Sequence, residues 1–177
     1  MEIKHLVVGR LGTNCYLLIS ENELAIIDPG GGAEEILKEI KKTKAKPKYI
    51  INTHCHLDHI WANKRLKKET KAEILTHEAE KGFFNFKVDR FLKEGDKIEI
   101  GNSALRVIHT PGHTPGSICL IGEDFILTGD TLFKEGYGRT DLPGGSQKDL
   151  ENSLEKLSNF LRPGIIIYPG HGEPFRV

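Results

Sequence analysis

Short apolar runs separated by glycine and polar residues dominate the pattern along this chain. Three such runs, at residues 3–8, 15–19 and 24–27, fill the first part of the sequence. Runs of this length bounded by turn-forming residues predict β-strands. Further strand-like runs lie at residues 49–52, 74–76, 97–100, 105–109, 117–121, 125–128 and 165–168. The pattern therefore predicts a chain in which strands outnumber helices.

Helical spacing of apolar residues occurs at fewer places. A first helix is predicted to follow Gly30–Gly32 and to end at Lys46-Pro47, and residues 60–68 and 78–84 predict two more. The clearest amphipathic helix spans residues 147–161, with one apolar face formed by Leu150, Leu154, Leu157 and Leu161. Helices that fall among strands favour two sheets flanked by helices, but periodicity alone leaves α/β and α+β layouts open.

Length and charge narrow the class of protein. The 177 residues fit one domain spanning residues 1–177. Lys+Arg and Asp+Glu are both 25, so no net field favours nucleic acid or a membrane surface. The lysine-rich segments 38–48 and 64–71 are predicted to be solvated helix faces rather than a nucleic-acid site. Neither charge nor pattern indicates an oligomeric state.

The cysteines and the apolar runs favour a cytoplasmic location. No run approaches the roughly 18 apolar residues that span a bilayer, and Gly9-Arg10 interrupts the N-terminal run before an export signal can form. The three cysteines are far apart and lack C-x-x-C spacing: Cys15, Cys55 and Cys119. We therefore expect no membrane partner and a reducing compartment.

Metal-binding side chains are concentrated directly after the apolar run 49–51. The segment Thr53–His59 contains His54, His56, Asp58 and His59. Side chains two apart beyond a strand point the same way, so the first two imidazoles are predicted to face one point. Three further candidates stand at predicted strand ends, on loops rich in glycine and proline: His113, Asp130 and His171.

Seven candidate ligands suit two metal ions better than one. Taken singly, His113, His171 and Asp130 could be turn or cap residues, but the H-x-H-x-D-H segment is hard to explain without a metal. Imidazole and carboxylate ligands suit zinc first, with iron or manganese as alternatives, and the lack of cysteine ligands argues against a closed structural zinc site. Two ions about 3.5–4 Å apart can bridge a hydroxide that acts as the nucleophile. We therefore expect the carboxylates of Asp58 and Asp130 to be catalytic.

Together these segments resemble the metallo-β-lactamase fold superfamily from end to end. Thr13–Leu18 resembles its early strand, Asp28–Gly30 its first loop and His54–His59 its defining motif. The resemblance implies an αββα four-layer sandwich with the metals in a cleft at one edge, between the sheets. It also implies that Asp130 bridges two ions, one held by His54, His56 and His113 and the other by Asp58, His59 and His171.

Within the superfamily, the chain resembles the short, single-domain branch of the glyoxalase II-like hydrolases. The residues that carry this likeness are Gly129–Phe133 and Gly136–Ser146. Glyoxalase II hydrolyses S-D-lactoylglutathione and has a C-terminal helical domain that helps to hold glutathione. Here the chain ends six residues after His171, so we expect that domain to be absent and glutathione use to be open.

The expected reaction is thioester hydrolysis of a small molecule. A thiol with a pKa of about 8.5 leaves without a general acid, whereas an amide nitrogen needs a proton, and no proton donor is evident outside the metal site. Tyr137 and Arg139 are predicted to contact substrate, Arg139 through a substrate carboxylate. The alternative for Arg139 is to brace its own loop through Asp141. Cys55 is predicted to be packed rather than to bind metal.

The main alternative is a persulfide dioxygenase on the same fold, which the stretch Gly138–Asp141 also resembles. Such enzymes use a single iron, which would here be held by His54, His113 and Asp130. His59 and His171 would then not bind metal. A metal-storage protein without turnover is a third possibility, which the full ligand set argues against.

Overall fold

Two six-stranded sheets lie face to face in the computed structural model, which describes residues 1–177. The first sheet has the strand order β1-β2-β3-β4-β5-β6: Glu2–Val8, Thr13–Ser20, Glu23–Ile27, Lys46–Ile51, Glu73–His77 and Arg90–Leu92. The second has the order β14-β13-β10-β9-β8-β7: Phe175–Arg176, Ile166–Pro169, Phe125–Gly129, Ile118–Ile121, Ser103–His109 and Lys97–Ile100. A separate hairpin pairs β11 (Leu132–Phe133) with β12 (Gly136–Tyr137).

Helices cover the outer face of each sheet. The four helices are α1 (Ala33–Thr43), α2 (Leu57–Ile60), α3 (Asn63–Thr70) and α4 (Gln147–Ser158). One apolar cluster joins α1 and α3 to the first sheet, a second joins α4 to the second sheet, and the largest lies between the sheets. This is the αββα sandwich that the resemblance implied, so that prediction is confirmed. None of the helices is both long and apolar enough to cross a bilayer.

The alternation of side chains along β2 explains how one strand serves two layers. Tyr16 and Leu18 point into the core between the sheets, whereas Leu17 packs toward the helices. Successive side chains of a strand point to opposite faces, so a strand buried on both sides reads as one continuous apolar run. All eight residues of β2 are buried accordingly.

Parallel pairing brings several strand ends to one edge of the molecule. β3, β4 and β5 are parallel neighbours in the first sheet, and β10 and β13 are parallel in the second. Two backbone hydrogen bonds join the sheets at that edge: Ile118 N–H donates to Thr53 O, and Asn14 N–H donates to Gly170 O. The loops that carry the candidate ligands start there.

Two of the predicted helices are wrong in extent. The helix predicted at 60–68 is two helices, α2 and α3, because the Ala62 N–H donates to Pro29 O. The helix predicted at 78–84 is a single 3₁₀ turn, Glu78–Glu80, since Lys81 leaves helical conformation.

Smaller corrections concern the ends of elements. Lys46-Pro47 begins β4 instead of ending the first helix, which stops at Thr43. The helix α4 ends at Ser158 rather than at residue 161. The short strands β6, β11, β12 and β14 were not predicted, because two or three residues carry no apolar period.

Candidate metal centre

Three histidines from two loops form the first donor set. His54 and His56 follow β4, and His113 follows β8 on the turn between two Pro-Gly pairs. Their nearest donor nitrogens all lie within 4.8 Å of one another. The ring centroids are 4.6 to 4.9 Å apart, and His54 and His113 are buried. Imidazoles this close, without hydrogen-bonding one another, have the spacing of ligands to one ion.

A second donor set lies beside the first. Asp58 and His59 stand in the short helix α2, and His171 follows β13, again with donor atoms within 4.8 Å of one another. His171 Nε2 lies 3.1 Å from Asp58 Oδ2 and 3.2 Å from His59 Nε2. The His54 and His59 rings are only 4.0 Å apart between centroids, so the two sets are adjacent.

Asp130 occupies the space between the two sets. Its Oδ2 lies 3.5 Å from His113 Nε2 in the first set and 3.7 Å from His171 Nε2 in the second. Its Oδ1 lies 3.5 Å from His59 Nε2. The carboxylate reaches this position because β10 ends on Gly129, whose φ of +49° turns the chain tightly.

A partner at one ring nitrogen aims the other nitrogen of three histidines at the centre, through a hydrogen bond for His54 and His113 and through a carboxylate contact for His59. His113 Nδ1 lies 2.8 Å from Arg139 O, and His54 Nδ1 lies 3.1 Å from Thr53 Oγ1. His59 Nδ1 lies 3.1 Å from the carboxylate Oδ2 of Asp28. Partners of this kind fix the tautomer and orientation of metal-binding imidazoles. The Nε2 atoms are thereby left for the centre.

The centre contains buried polar atoms that no protein group satisfies. They are His54 Nε2, His113 Nε2, Asp130 Oδ1 and His59 Nδ1, the last of which lies 3.1 Å from Asp28 Oδ2 without hydrogen-bond geometry. A buried acceptor without a partner costs about 1–3 kcal/mol, so folded proteins rarely leave several together. Cations in the centre would satisfy His54 Nε2, His113 Nε2 and Asp130 Oδ1, and imidazole with carboxylate is a donor set that zinc, iron and manganese accept. The residues present therefore fit a pair of divalent ions.

Burial and charge adjust the protonation of the histidines. Burial lowers the pKa of His54 well below its usual value and that of His56 to about 4, so both imidazoles are neutral at pH 7. Burial also lowers the pKa of His59, but the surrounding carboxylates, with Asp28 foremost, outweigh it and raise that pKa to about 9. Neutral imidazole is the form that binds metal, so His54 and His56 need no deprotonation at neutral pH.

Asp28 is a site residue that the sequence pattern presents only as part of a loop. It is buried, and its carboxylate accepts hydrogen bonds from the backbone N–H of Thr53 at 2.7 Å and from Thr53 Oγ1 at 2.6 Å. Asp28, His54 and His59 form a third group of donor atoms within 4.8 Å of one another, but both oxygens of Asp28 already accept hydrogen bonds from Thr53. We therefore infer that Asp28 orients His59 and Thr53 rather than binding metal. It follows β3 directly, and the rule that parallel strands end at one edge could have identified it.

Glu80 was missed altogether. This carboxylate is fully buried and accepts hydrogen bonds from Cys55 N–H, Thr114 Oγ1 and Gly116 N–H. Cys55 lies between His54 and His56, and Thr114 follows His113. Glu80 therefore ties the two loops of the first donor set together.

The predicted substrate contacts lie nearby but face solvent. Arg139 is exposed, and its Nε and Nη2 each donate to the carboxylate of Asp141 at 2.7 Å. This is the loop-bracing arrangement given above as the alternative to a substrate contact. Tyr137 is 54% exposed in the β11–β12 hairpin. Cys55 is buried, with its thiol 3.3 Å from Thr76 Oγ1 and outside both donor sets.

Known proteins share both the sequence pattern and the fold. The sequence profile of the metallo-beta-lactamase superfamily matches residues 8–171. Hydroxyacylglutathione hydrolase GloC of Haemophilus influenzae is 35% identical over 193 residues, covering 97% of this chain and 91% of its own. The structure of BLEG-1 B3 metallo-beta-lactamase superposes with a TM-score of 0.93 at 30% identity, over 99% of this chain and 94% of that one. TTHA1623, solved in a di-iron-bound form, gives a TM-score of 0.87 at 29% identity, over 98% and 94%.

Proposed function

This chain belongs to the metallo-beta-lactamase superfamily, and from that premise we propose that it is a two-metal hydrolase of small-molecule thioesters. The observation that carries the proposal is the pair of complete three-residue donor sets with the carboxylate of Asp130 between them. One set alone would suit a single ion. Two adjacent sets with a shared carboxylate suit two.

Each candidate ligand has a defined part in holding the ions. His54, His56 and His113 would hold one ion, Asp58, His59 and His171 the other, and Asp130 would contact both. A pair of divalent ions supplies a water pKa near neutrality and polarises the substrate carbonyl oxygen. We propose zinc as the metal. Iron and manganese are the alternatives, because the same imidazole and carboxylate ligands accept all three metals.

The protein's own residues prepare the centre for an anionic transition state. Only two carboxylates, Asp58 and Asp130, lie among the seven candidate ligands, so with two divalent ions the centre stays cationic. Asp28 lies at the Nδ1 atom of His59 and the Arg139 carbonyl at the Nδ1 atom of His113, so both hold an imidazole in place. These fixed contacts would keep the cationic centre preorganised, which is the effective form of electrostatic catalysis.

A thioester matches the groups that the centre offers. Its thiolate leaves without a proton, since an ordinary thiol has a pKa of about 8.5. The imidazoles and carboxylates of the centre face one another and are engaged as candidate ligands, so they provide no free general acid for an amide nitrogen. The likeness to a hydroxyacylglutathione hydrolase over 97% of the chain supports the same choice.

Hydrolysis of S-D-lactoylglutathione and of simpler acyl thioesters tests this function. We expect turnover that disappears on chelation, returns with divalent metal and is abolished in Asp130→Ala. Asp124→Ala, which removes an exposed carboxylate near the other end of the same strand, is the matched control and should keep full activity. Oxygen uptake on glutathione persulfide, or turnover confined to β-lactams, would overturn the proposal.

A further inference from the structure

Two cavities adjoin the second donor set, and each is lined by a different member of it. One has a volume of about 550 Å³ and reaches Asp58, and the other has a volume of about 450 Å³ and reaches His171. Both volumes fall in the range of small-molecule sites. A thioester has two arms, one on each side of the scissile bond, so two cavities around one centre suit it.

The cavity beside Asp58 has an apolar wall. Leu57 and Trp61 stand four positions apart, which places them on one face of the α2 segment, and Leu11 lies opposite in the β1–β2 turn. These three are the most exposed large apolar side chains of the chain, at 67%, 72% and 71%. Exposed apolar groups gathered around one cavity mark a binding site.

The two cavities differ in their chemistry. Apart from Asp58, the only charged residue that lines the first cavity is Arg10. Glycines make up the rest of the lining beside the apolar wall. The second is lined by three charged side chains, Lys134, Glu135 and Glu173, together with His171 and a single apolar side chain, Phe133. The first cavity is therefore the more apolar of the two.

We propose that Leu11, Leu57 and Trp61 form an apolar subsite that selects thioesters carrying a bulky apolar group. This inference rests on the proposed function and extends it to the substrate class. The polar remainder of the substrate then lies toward the charged cavity. The preferred substrate is accordingly a thioester with one apolar arm, rather than one that is polar on both sides.

Three thioesters distinguish whether the apolar group belongs to the acyl part or to the thiol part of the substrate. They are S-acetyl-N-acetylcysteamine, which is small on both arms, S-octanoyl-N-acetylcysteamine, with an apolar acyl arm, and S-benzyl thioacetate, with an apolar thiol arm. We expect kcat/KM for one of the apolar pair to exceed that of the small ester by about tenfold, a typical value for apolar contacts in an enzyme pocket. That preference should vanish in Trp61→Ala and persist in Trp61→Phe. Val7→Ala, which truncates an exposed apolar side chain outside the cavity, should leave it unchanged.

The fluorescence of Trp61 provides a readout that needs no turnover. Trp61 is the only tryptophan of the chain, so its emission reports on this cavity alone. The inert thioether S-octyl-N-acetylcysteamine should shift the emission to the blue, saturably, with and without metal. Binding without hydrolysis of any thioester would contradict the proposed function and leave the subsite standing. Hydrolysis of all three thioesters with equal kcat/KM would overturn the subsite. So would a protein dimer that Trp61→Ala dissociates, if the thioether also leaves the Trp61 emission unchanged.

Discussion

Glu80 shows how a single buried side chain can hold a metal-binding site without binding metal. Its three hydrogen-bond donors come from the loops of His54–His56 and of His113, so its charge is compensated by the loops that it joins. Charge-assisted hydrogen bonds of this kind are about twice as strong as neutral ones. Glu80 is thus a positioning residue for the first donor set.

Replacing Glu80 with Gln should weaken metal binding at the first set. The amide retains the shape but loses the charge and one acceptor, which should lower the free energy of unfolding by about 1–3 kcal/mol. The metal affinity of the first set should fall by about 10–100-fold, as it does when outer-sphere partners are lost. Competition with a chelator measures the affinity, and the matched control is Glu78→Gln, a partly exposed neighbour that pairs with Lys93. A loss of stability with unchanged affinity would mean that Glu80 is structural only.

At the residue scale, the sequence predicted the candidate metal ligands but not the residues that hold the ligand loops in place by hydrogen bonds. The candidate ligands could be predicted because they lie in polar segments that come soon after apolar runs. Glu80 could not, since its partners lie 25, 34 and 36 positions away and its own segment has a helical pattern. For Arg139, the sequence offered two alternatives, and the structure shows the pair with Asp141. Its predicted substrate contact stays a prediction.

At the scale of the elements, the residues at the strand ends determine how closely the loops can approach the metal centre. The loop after β13 brings His171 to the centre because Gly170 has no side chain. A Cβ on Gly170 would collide with Asp130 Oδ1 and would lie 2.8 Å from His59 Cε1. The φ of Gly170 is not in the left-handed region, so the requirement there is for space alone.

Gly170→Ala should therefore disrupt the centre, whereas Gly172→Ala should not. The first substitution pushes the β13 loop away from Asp130 and should reduce bound metal and activity by at least tenfold. Gly172 has a φ of +76° with open space around its Cβ position, so alanine there should cost only about 1–2 kcal/mol of backbone strain. Metal content and thermal unfolding of both variants measure the difference. Equal metal content in the two would contradict the steric account.

Strands of four or more residues could be predicted from the apolar pattern, and shorter ones could not. The pairing of β14 or of the β11–β12 hairpin depends on neighbours that a local pattern does not contain. The break between α2 and α3 could not be predicted for the same reason, since it too depends on a contact distant in sequence. The Ala62 N–H is taken by Pro29, 33 positions earlier, which no helical period reveals.

In the whole molecule, the candidate metal centre lies at one edge of the four-layer sandwich. Three apolar clusters fill the spaces between the layers, and the loops with metal-binding side chains gather where the parallel strands end. The apolar pattern favoured two sheets with helices, but the αββα order came from the resemblance, because layer order depends on long-range pairing. The neutral charge total is consistent with a small-molecule substrate, and that partner stays a proposal.

Metal titration of the metal-free protein tests the central claim, two ions shared by seven side chains, most directly. Bound metal per chain is measured together with the midpoint of thermal unfolding. We expect saturation at two divalent ions, with a rise in stability of about 2.7 kcal/mol for each ion when free metal reaches a hundred times its dissociation constant. In Asp130→Ala both affinities should fall, since its carboxylate faces both sets. Saturation at one ion per chain, or two ions bound equally tightly without Asp130, would contradict the account.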